Sequence, residues 1–306
     1  MKIAIIGVGG VGGYFGGLLA KNGENVTFVT RGDQYQAIKK NGLKVESVNE
    51  NFHLPNVNVT NSPEHLQKPD LILITTKTYD LPDVAKKLKK NINKDTTIIT
   101  LQNGLNSDLV IKQIIPAAKV VPGIAYIVSE KFDHYKIKQT AGPCTLIFGD
   151  RNKSSQNYLK TIEQLLKKCE IKVNLVNNIE ISLWEKFLWI TTFAGMTSLC
   201  QSSIGHIVNN QHTYQLYLDC LKEGLKVAKA AGIQIKDETE LKIIKKSEDY
   251  KTKGSHAKSS MLIDIEKNRK TEIEALNGYL VKKAWELSVN VPIHRCIVAV
   301  VKKGQL

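Results

Sequence analysis

The sequence opens with a short apolar run, Lys2 to Ile6, which meets Gly7-Val8-Gly9-Gly10-Val11-Gly12 and continues as a helix-length segment to about Asn22. No other feature restricts the fold as much, because glycines in the order G-x-G-x-x-G between a strand and a helix mark a dinucleotide-binding βαβ unit. They let the chain turn tightly and bring backbone N–H groups at the helix N-terminus against a pyrophosphate. Asn25 to Thr30 reads as the second strand, which completes the unit.

Strand-like runs recur at Leu71 to Thr75, Thr97 to Leu101, Lys119 to Ile127 and Lys172 to Val176, with helix-compatible segments between most of them. That alternation predicts a doubly wound parallel sheet, an N-terminal Rossmann domain over residues 1–178. Two runs at 134–139 and 144–149 flank Ala141-Gly142-Pro143 and predict a hairpin turning there. Beyond Asn178 the strand signals fade, and residues 179–306 predict an all-α domain with helices near 179–200, 213–231, 237–249, 259–268, 272–288 and 293–303. Gly232 is placed as a C-cap, and Thr271-Glu272-Ile273-Glu274 fits a capping box. No Gly/Ser/Pro linker separates the halves, which predicts a helix leading directly out of the first domain and a rigid cleft between the two.

The residue ending the second strand selects the cofactor. An acidic side chain there bonds the ribose 2′-OH of NAD, whereas Arg accommodates the 2′-phosphate of NADP. Here Arg31 follows Thr30, in a chain with arginine only at 31, 151, 269 and 295. This favours NADP (NADPH); the alternative turns Arg31 to solvent and sets Asp33 against the ribose. Two more loops fall where α/β sheets bind ligands: Thr76-Lys77-Thr78, with Lys77 directed at a phosphate or carboxylate, and Gln102-Asn103-Gly104, with Asn103 at the ribose or nicotinamide edge. Read in isolation, Lys77 is a surface lysine and Asn103-Gly104 a turn.

Forty-three basic against 29 acidic residues give a net charge of +14, which raises the question of an acidic partner. The charge is spread, with 24 basic and 15 acidic residues through residue 178 and 19 and 14 beyond it, and is almost all lysine. This reads as a solvated surface and predicts no nucleic-acid partner. No segment approaches the about 20 apolar residues of a membrane span, and the glycine-broken start does not resemble a signal peptide, so a cytoplasmic protein without a membrane partner is expected. Cys144, Cys169, Cys200, Cys220 and Cys296 form no C-x-x-C pair, and His206, His212, His256 and His294 no i, i+4 pair. The cysteines read as reduced, mostly buried thiols, the histidines as structural or exposed, and no metal is expected. Apolar faces on the last helices leave a homodimer open.

The segments GVGGVGGYFGGLLAKNGENVTFVTRG (7–32), TKTYD (76–80), QNG (102–104), WEK (184–186) and SSMLIDIEKNRKTEIEALNG (259–278) together resemble the ketopantoate reductase family along nearly the whole chain. The resemblance implies a Rossmann domain followed by a helical domain like that of 6-phosphogluconate dehydrogenase, and reduction of a small 2-keto acid by NADPH. It makes Lys186 the general acid that protonates the keto oxygen while hydride passes to the carbonyl carbon. Glu272 would orient that lysine and help bind substrate. Ser260, with Ser259 as its alternative, would bond the substrate carboxylate, and Asn103 would serve substrate and cofactor. An ammonium suits the step because it also stabilises the developing alkoxide.

The family pattern continues from this lysine with Asn four and eight residues on, where this sequence has Ile190 and Ala194. The i, i+4, i+8 spacing places all three on one helix stripe expected to face the cleft, with Trp189, Thr191 and Thr192 on other faces. Loss of two amides weakens discrimination for the hydroxyl of ketopantoate and opens a second reading, a more apolar 2-keto acid. A third reading, a noncatalytic NADP-binding protein, has no use for Lys186, Ser260 and Glu272 together.

Overall fold

The computed structural model describes residues 1–152 and 156–304. Its contacts divide the chain into one unit of residues 1–102 and 106–179 and a second of residues 103–105 and 180–306.

The first unit runs β1 (Lys2–Ile6), α1 (Gly10–Lys21), β2 (Asn25–Val29), α2 (Gly32–Asn41), β3 (Leu43–Ser47), β4 (Phe52–Leu54) and β5 (Asn58–Thr60). It continues with β6 (Leu71–Ile74), α3 (Leu81–Leu88), β7 (Thr97–Thr100), α4 (Ser107–Ile114), β8 (Lys119–Lys131), β9 (Lys136–Phe148), α5 (Gln156–Lys168) and β10 (Lys172–Leu175). Strands β5-β2-β1-β6-β7-β8 lie side by side and parallel. β9 closes on β8 antiparallel and pairs β3 and β10 in parallel, with β4 antiparallel to β3.

Side chains of a strand alternate between faces, and here both faces are covered. Ile3 and Ile5 of β1 and Leu71 and Leu73 of β6 join a core with Phe15 and Leu19 of α1 and Leu166 of α5. Ala4, Ile6, Ile72 and Ile74 face the other way, against Val84 and Leu88 of α3 and Ile111 of α4. Burial on both sides is the reason these strands read as unbroken apolar runs, and each fully buried Ile or Leu contributes about 1.5–3 kcal/mol. Strand order reverses at β1, so the loops after β1, β2, β6 and β7 gather at the carboxyl edge where such sheets bind ligands.

The second unit takes up α6 (Ile179–Cys200) from Glu180 and adds α7 (Ile204–Asn209), α8 (Gln211–Ala230), α9 (Asp237–Asp249), α10 (Ser260–Glu266), α11 (Asn277–Glu286) and α12 (Pro292–Lys303). α6 is its central helix: Leu183, Trp184, Phe187, Leu188, Ile190, Phe193 and Met196 are buried around most of its circumference. Gly232 takes φ +76° one residue past the C-cap of α8 and donates its N–H to Lys229 O at 3.0 Å, a glycine-terminated helix end. The architecture is thus a Rossmann sheet followed by an all-α domain, as the alternation of signals predicts. No helix among the described residues is long and apolar enough to cross a membrane.

Several local expectations are corrected. Ala141-Gly142-Pro143 is not a hairpin turn but lies within the single strand β9, opposite register shifts around Val128. Gly142 at φ +89° and Cys144 at φ +51° form an irregularity that tolerates a proline without an N–H. The true turn lies between β8 and β9, where Phe132 N–H bonds Lys136 O at 3.0 Å. The helix expected over 272–288 is broken: a 3-10 turn at Ile273–Ala275 precedes α11, and Glu272 makes no capping bond. The break sets Asn277 inward, its Nδ2 donating to Thr191 O at 3.0 Å and to His294 Nδ1 at 2.9 Å. β3, β4, β5 and α7 are short or mixed in pattern and leave no clear signal in the sequence. The five thiols are free, with Cys144, Cys169 and Cys220 buried and Cys296 exposed.

Candidate active site

The loop after β1 explains its glycines one at a time. Gly7 takes φ +96° and donates its N–H to Val29 O at 3.0 Å, and a Cβ on it would lie 2.8 Å from Thr76 N. A Cβ on Gly12 would collide with the Gly7 carbonyl and the Thr75 hydroxyl, and one on Gly10 with the Ser129 carbonyl. Gly9 differs: its φ is −84°, its backbone is extended, and a Cβ there would meet nothing within 4 Å. Neither conformation nor internal packing demands glycine at Gly9, which leaves close approach of an external group. Gly9 is also the N-cap of α1 and lends it no side chain, so the helix's first N–H groups face that open space. These residues fit the pyrophosphate of a dinucleotide. Val8 is buried with its carbonyl accepting Gln34 Nε2 at 2.5 Å, the Thr30 hydroxyl donates to Gln34 Oε1 at 2.8 Å, and Val11 packs against the core. Gln34, absent from the sequence reading, thus fixes the loop to the start of α2.

Arg31 stands at the N-cap of α2, its side chain 77% exposed, and its guanidinium bonds both carboxylate oxygens of Asp80 at 3.1 and 3.2 Å. Lys77 precedes the 3-10 turn that ends at Asp80, and Gln102 Nε2 bonds the Thr76 and Lys77 carbonyls at 3.0 and 3.3 Å. Arg31 and Lys77 therefore occupy neighbouring loops tied together by Asp80, whose part only the structure brings out.

Lys186 lies in the third turn of α6 within the second unit, partly accessible yet heavily enclosed. Enclosure, and then the ammonium of Lys246, pull its pKa down to about 8, while the Glu272 carboxylate opposes them. A lysine so placed remains mostly protonated at neutral pH but gives up its proton far more readily than an exposed one. Glu272 sits at the entrance to the 3-10 turn that ends at Ala275, and Gly104, at φ +115°, brings its Cα close to that turn: a Cβ there would lie 3.0 Å from Ala275 O. Asn103 thus joins the helical unit, beside the segment that carries Glu272.

The two serines separate. Ser259 is 2% exposed and caps α10, its Oγ accepting Leu262 N–H at 3.1 Å and lying 2.7 Å from the Thr197 hydroxyl. Ser260, the next residue, is exposed. Ile190 and Ala194, on the stripe below Lys186, are buried and apolar. Lys246 of α9 reaches α6 at Trp189, three residues on from Lys186, and stands 3.4 Å from its ring centroid. Lys246 carries no sequence signal, being one lysine among many on a surface helix.

Compared with known proteins, residues 3–153 match the family model for ketopantoate reductase PanE/ApbA and residues 178–305 the model for its C-terminal part. An uncharacterized oxidoreductase, YkpB, of Bacillus subtilis is 29% identical, with 98% of this chain and 97% of the relative covered. A 2-dehydropantoate 2-reductase of Nostoc is also 29% identical, over 97% of this chain and 92% of its own. Among solved structures, 2-dehydropantoate 2-reductase from Geobacter metallireducens superposes with TM-score 0.91 at 26% identity, covering 99% of both chains. D-mandelate dehydrogenase with NADH and anilino(oxo)acetate shares the fold at TM-score 0.90 and 21% identity, covering 100% of this chain and 98% of its own.

Proposed function

Because this chain belongs to the ketopantoate reductase family, we propose that it is an NADPH-dependent reductase that converts ketopantoate (2-dehydropantoate) to pantoate. When bound, NADPH would supply the hydride for the carbonyl carbon. Lys186 donates a proton to the keto oxygen, so the C=O bond becomes CH–OH and no charge is left on the product oxygen. Glu272 counters the loss of charge on Lys186 and holds the ammonium in place, Ser260 bonds the substrate carboxylate, and Asn103 contacts substrate and nicotinamide ribose. Gly7 to Gly12 would admit the pyrophosphate, Arg31 would hold the 2′-phosphate, and Lys77 would add positive charge at the same edge.

The observation that carries this reading is the state of Lys186: an enclosed ammonium held at about 8 with a carboxylate opposing further loss is matched to proton donation near neutral pH. A surface lysine has no such surroundings.

A second reading keeps the reaction and changes the substrate to a more apolar 2-keto acid. Ile190 and Ala194 favour it, since neither offers a hydrogen bond to a substrate hydroxyl. That a D-mandelate dehydrogenase shares the fold agrees with such a change of side chain. The test is NADPH oxidation by the purified protein against a panel of 2-keto acids, ketopantoate included, with NADH in parallel and Arg31→Ala beside the wild type. Preference for ketopantoate supports the first reading and preference for branched or aromatic acids the second; NADPH binding without turnover overturns both. Equal weakening of NADPH and NADH in Arg31→Ala removes the 2′-phosphate assignment.

A further inference from the structure

Tyr250, the residue just past α9, and Lys246 are four residues apart and grip two residues of α6 that are also four apart. The Lys246 ammonium caps the indole of Trp189, Trp189 stacks on Phe193 with centroids 5.6 Å apart, and Phe193 stacks on Tyr250 at 6.1 Å. The column fixes a long, flexible side chain in one place, three residues along α6 from Lys186. Lys246 is reached by solvent, yet the protein around it lowers its pKa, and among the described residues no carboxylate raises it again. Lys242 of the same helix contrasts with it, being paired with Glu238. A partly desolvated ammonium without a counter-charge, close enough to a second ammonium for the two to repel, is unfavourable in the unliganded protein. An anion placed between them removes both penalties.

We propose that Lys246 is a specificity-determining residue of the substrate site: held by the indole of Trp189, it binds the carboxylate of the 2-keto acid whose keto oxygen faces Lys186. It would share that carboxylate with Ser260, supplying charge where the serine supplies a single neutral hydrogen bond. The inference rests on the 2-keto acid reading above. It also gives the aromatic column a purpose beyond packing, since an ammonium pre-positioned on a rigid platform loses little side-chain freedom when the anion binds.

The experiment compares the best 2-keto acid of the panel with its methyl ester, which keeps the keto group and removes the negative charge. In Lys246→Met the KM for the acid rises at least tenfold, kcat changes less than threefold, and kcat/KM for the ester stays within twofold of the wild-type value. NADPH affinity, read by its fluorescence, is unchanged. Lys246→Gln is measured alongside in case the thioether disturbs the stack, Lys246→Arg restores most of the affinity for the acid, and Lys242→Met serves as a surface control. A KM for the acid within twofold of wild type, or equal losses on acid and ester, overturns the assignment. Absence of turnover of any 2-keto acid by the wild type instead overturns the reading on which it rests.

Discussion

The hydroxyls of Thr197 and Ser259 lie 2.7 Å apart and bond the helix that carries Lys186 to the start of the helix that carries Ser260. Since Ser259 also caps α10 through Leu262 N–H, its side chain is committed to structure. Ser259→Ala is expected to lower unfolding stability by about 1–2 kcal/mol with NADPH affinity retained. Ser260→Ala is expected to leave stability nearly intact and raise the substrate KM. Urea unfolding and steady-state kinetics on the two variants check the division of labour.

Gly9 and Gly12 predict opposite defects. Alanine at Gly9 has room and an ordinary backbone conformation, so the fold survives while the added methyl occupies the space proposed for the cofactor. Alanine at Gly12 drives a methyl into the Gly7 carbonyl and the Thr75 hydroxyl. Thermal unfolding should therefore be near wild type for Gly9→Ala and clearly lowered for Gly12→Ala, whereas NADPH titration of Gly9→Ala should show at least a tenfold loss of affinity.

The proposed role of Lys186 predicts an alkaline limit. Its pKa is depressed to about 8, and in the proposed reduction the protonated form is the one that acts. Activity is thus retained below that value and lost as pH rises through it, well before the about 10.4 of an ordinary lysine. Glu272 opposes the depression, so Glu272→Gln moves the limb to lower pH. Lys186→Ala should abolish reduction while NADPH still binds. A kcat/KM profile flat to pH 10 would remove Lys186 as the donor.

His294 makes stability fall in acid. It is fully buried, its Nδ1 accepts from Asn277 Nδ2 at 2.9 Å and its Nε2 faces Cys220 O at 3.0 Å, an arrangement for the neutral ring. Burial lowers its pKa to about 4. A base with a depressed folded-state pKa contributes full stability above its unfolded value of about 6.5, lost progressively as pH falls towards the folded value. Between pH 7.5 and 5 the loss attributable to this group is about 2 kcal/mol. Glu223, which bonds the backbone N–H groups of Ile293 and His294, has its pKa raised by burial and offsets part of it. Urea unfolding at the two pH values, with His294→Gln as the variant whose slope flattens, measures the term.

The Rossmann sheet, the helical second half and the glycine loop after β1 are legible in local patterns of the chain. Ile3 to Ile6, the glycines and the 3.6-residue patterns are local signals, because a strand buried on both faces and a helix N-terminus open to a ligand each demand particular residues within a few positions. The family-matched segments also singled out Lys186, Glu272 and Ser260. What those residues meet depends on packing between distant segments. Ser259 became a cap because Thr197 lies 62 positions earlier in the chain yet 2.7 Å away. The stretch around Ala141-Gly142-Pro143 became a bulge because the partner strand β8 continues past it. Lys246 came to stand over Trp189 from a helix whose own pattern shows only a charged surface. Such contacts join distant segments, and their energy depends on burial and charge that exist only once the helices have packed.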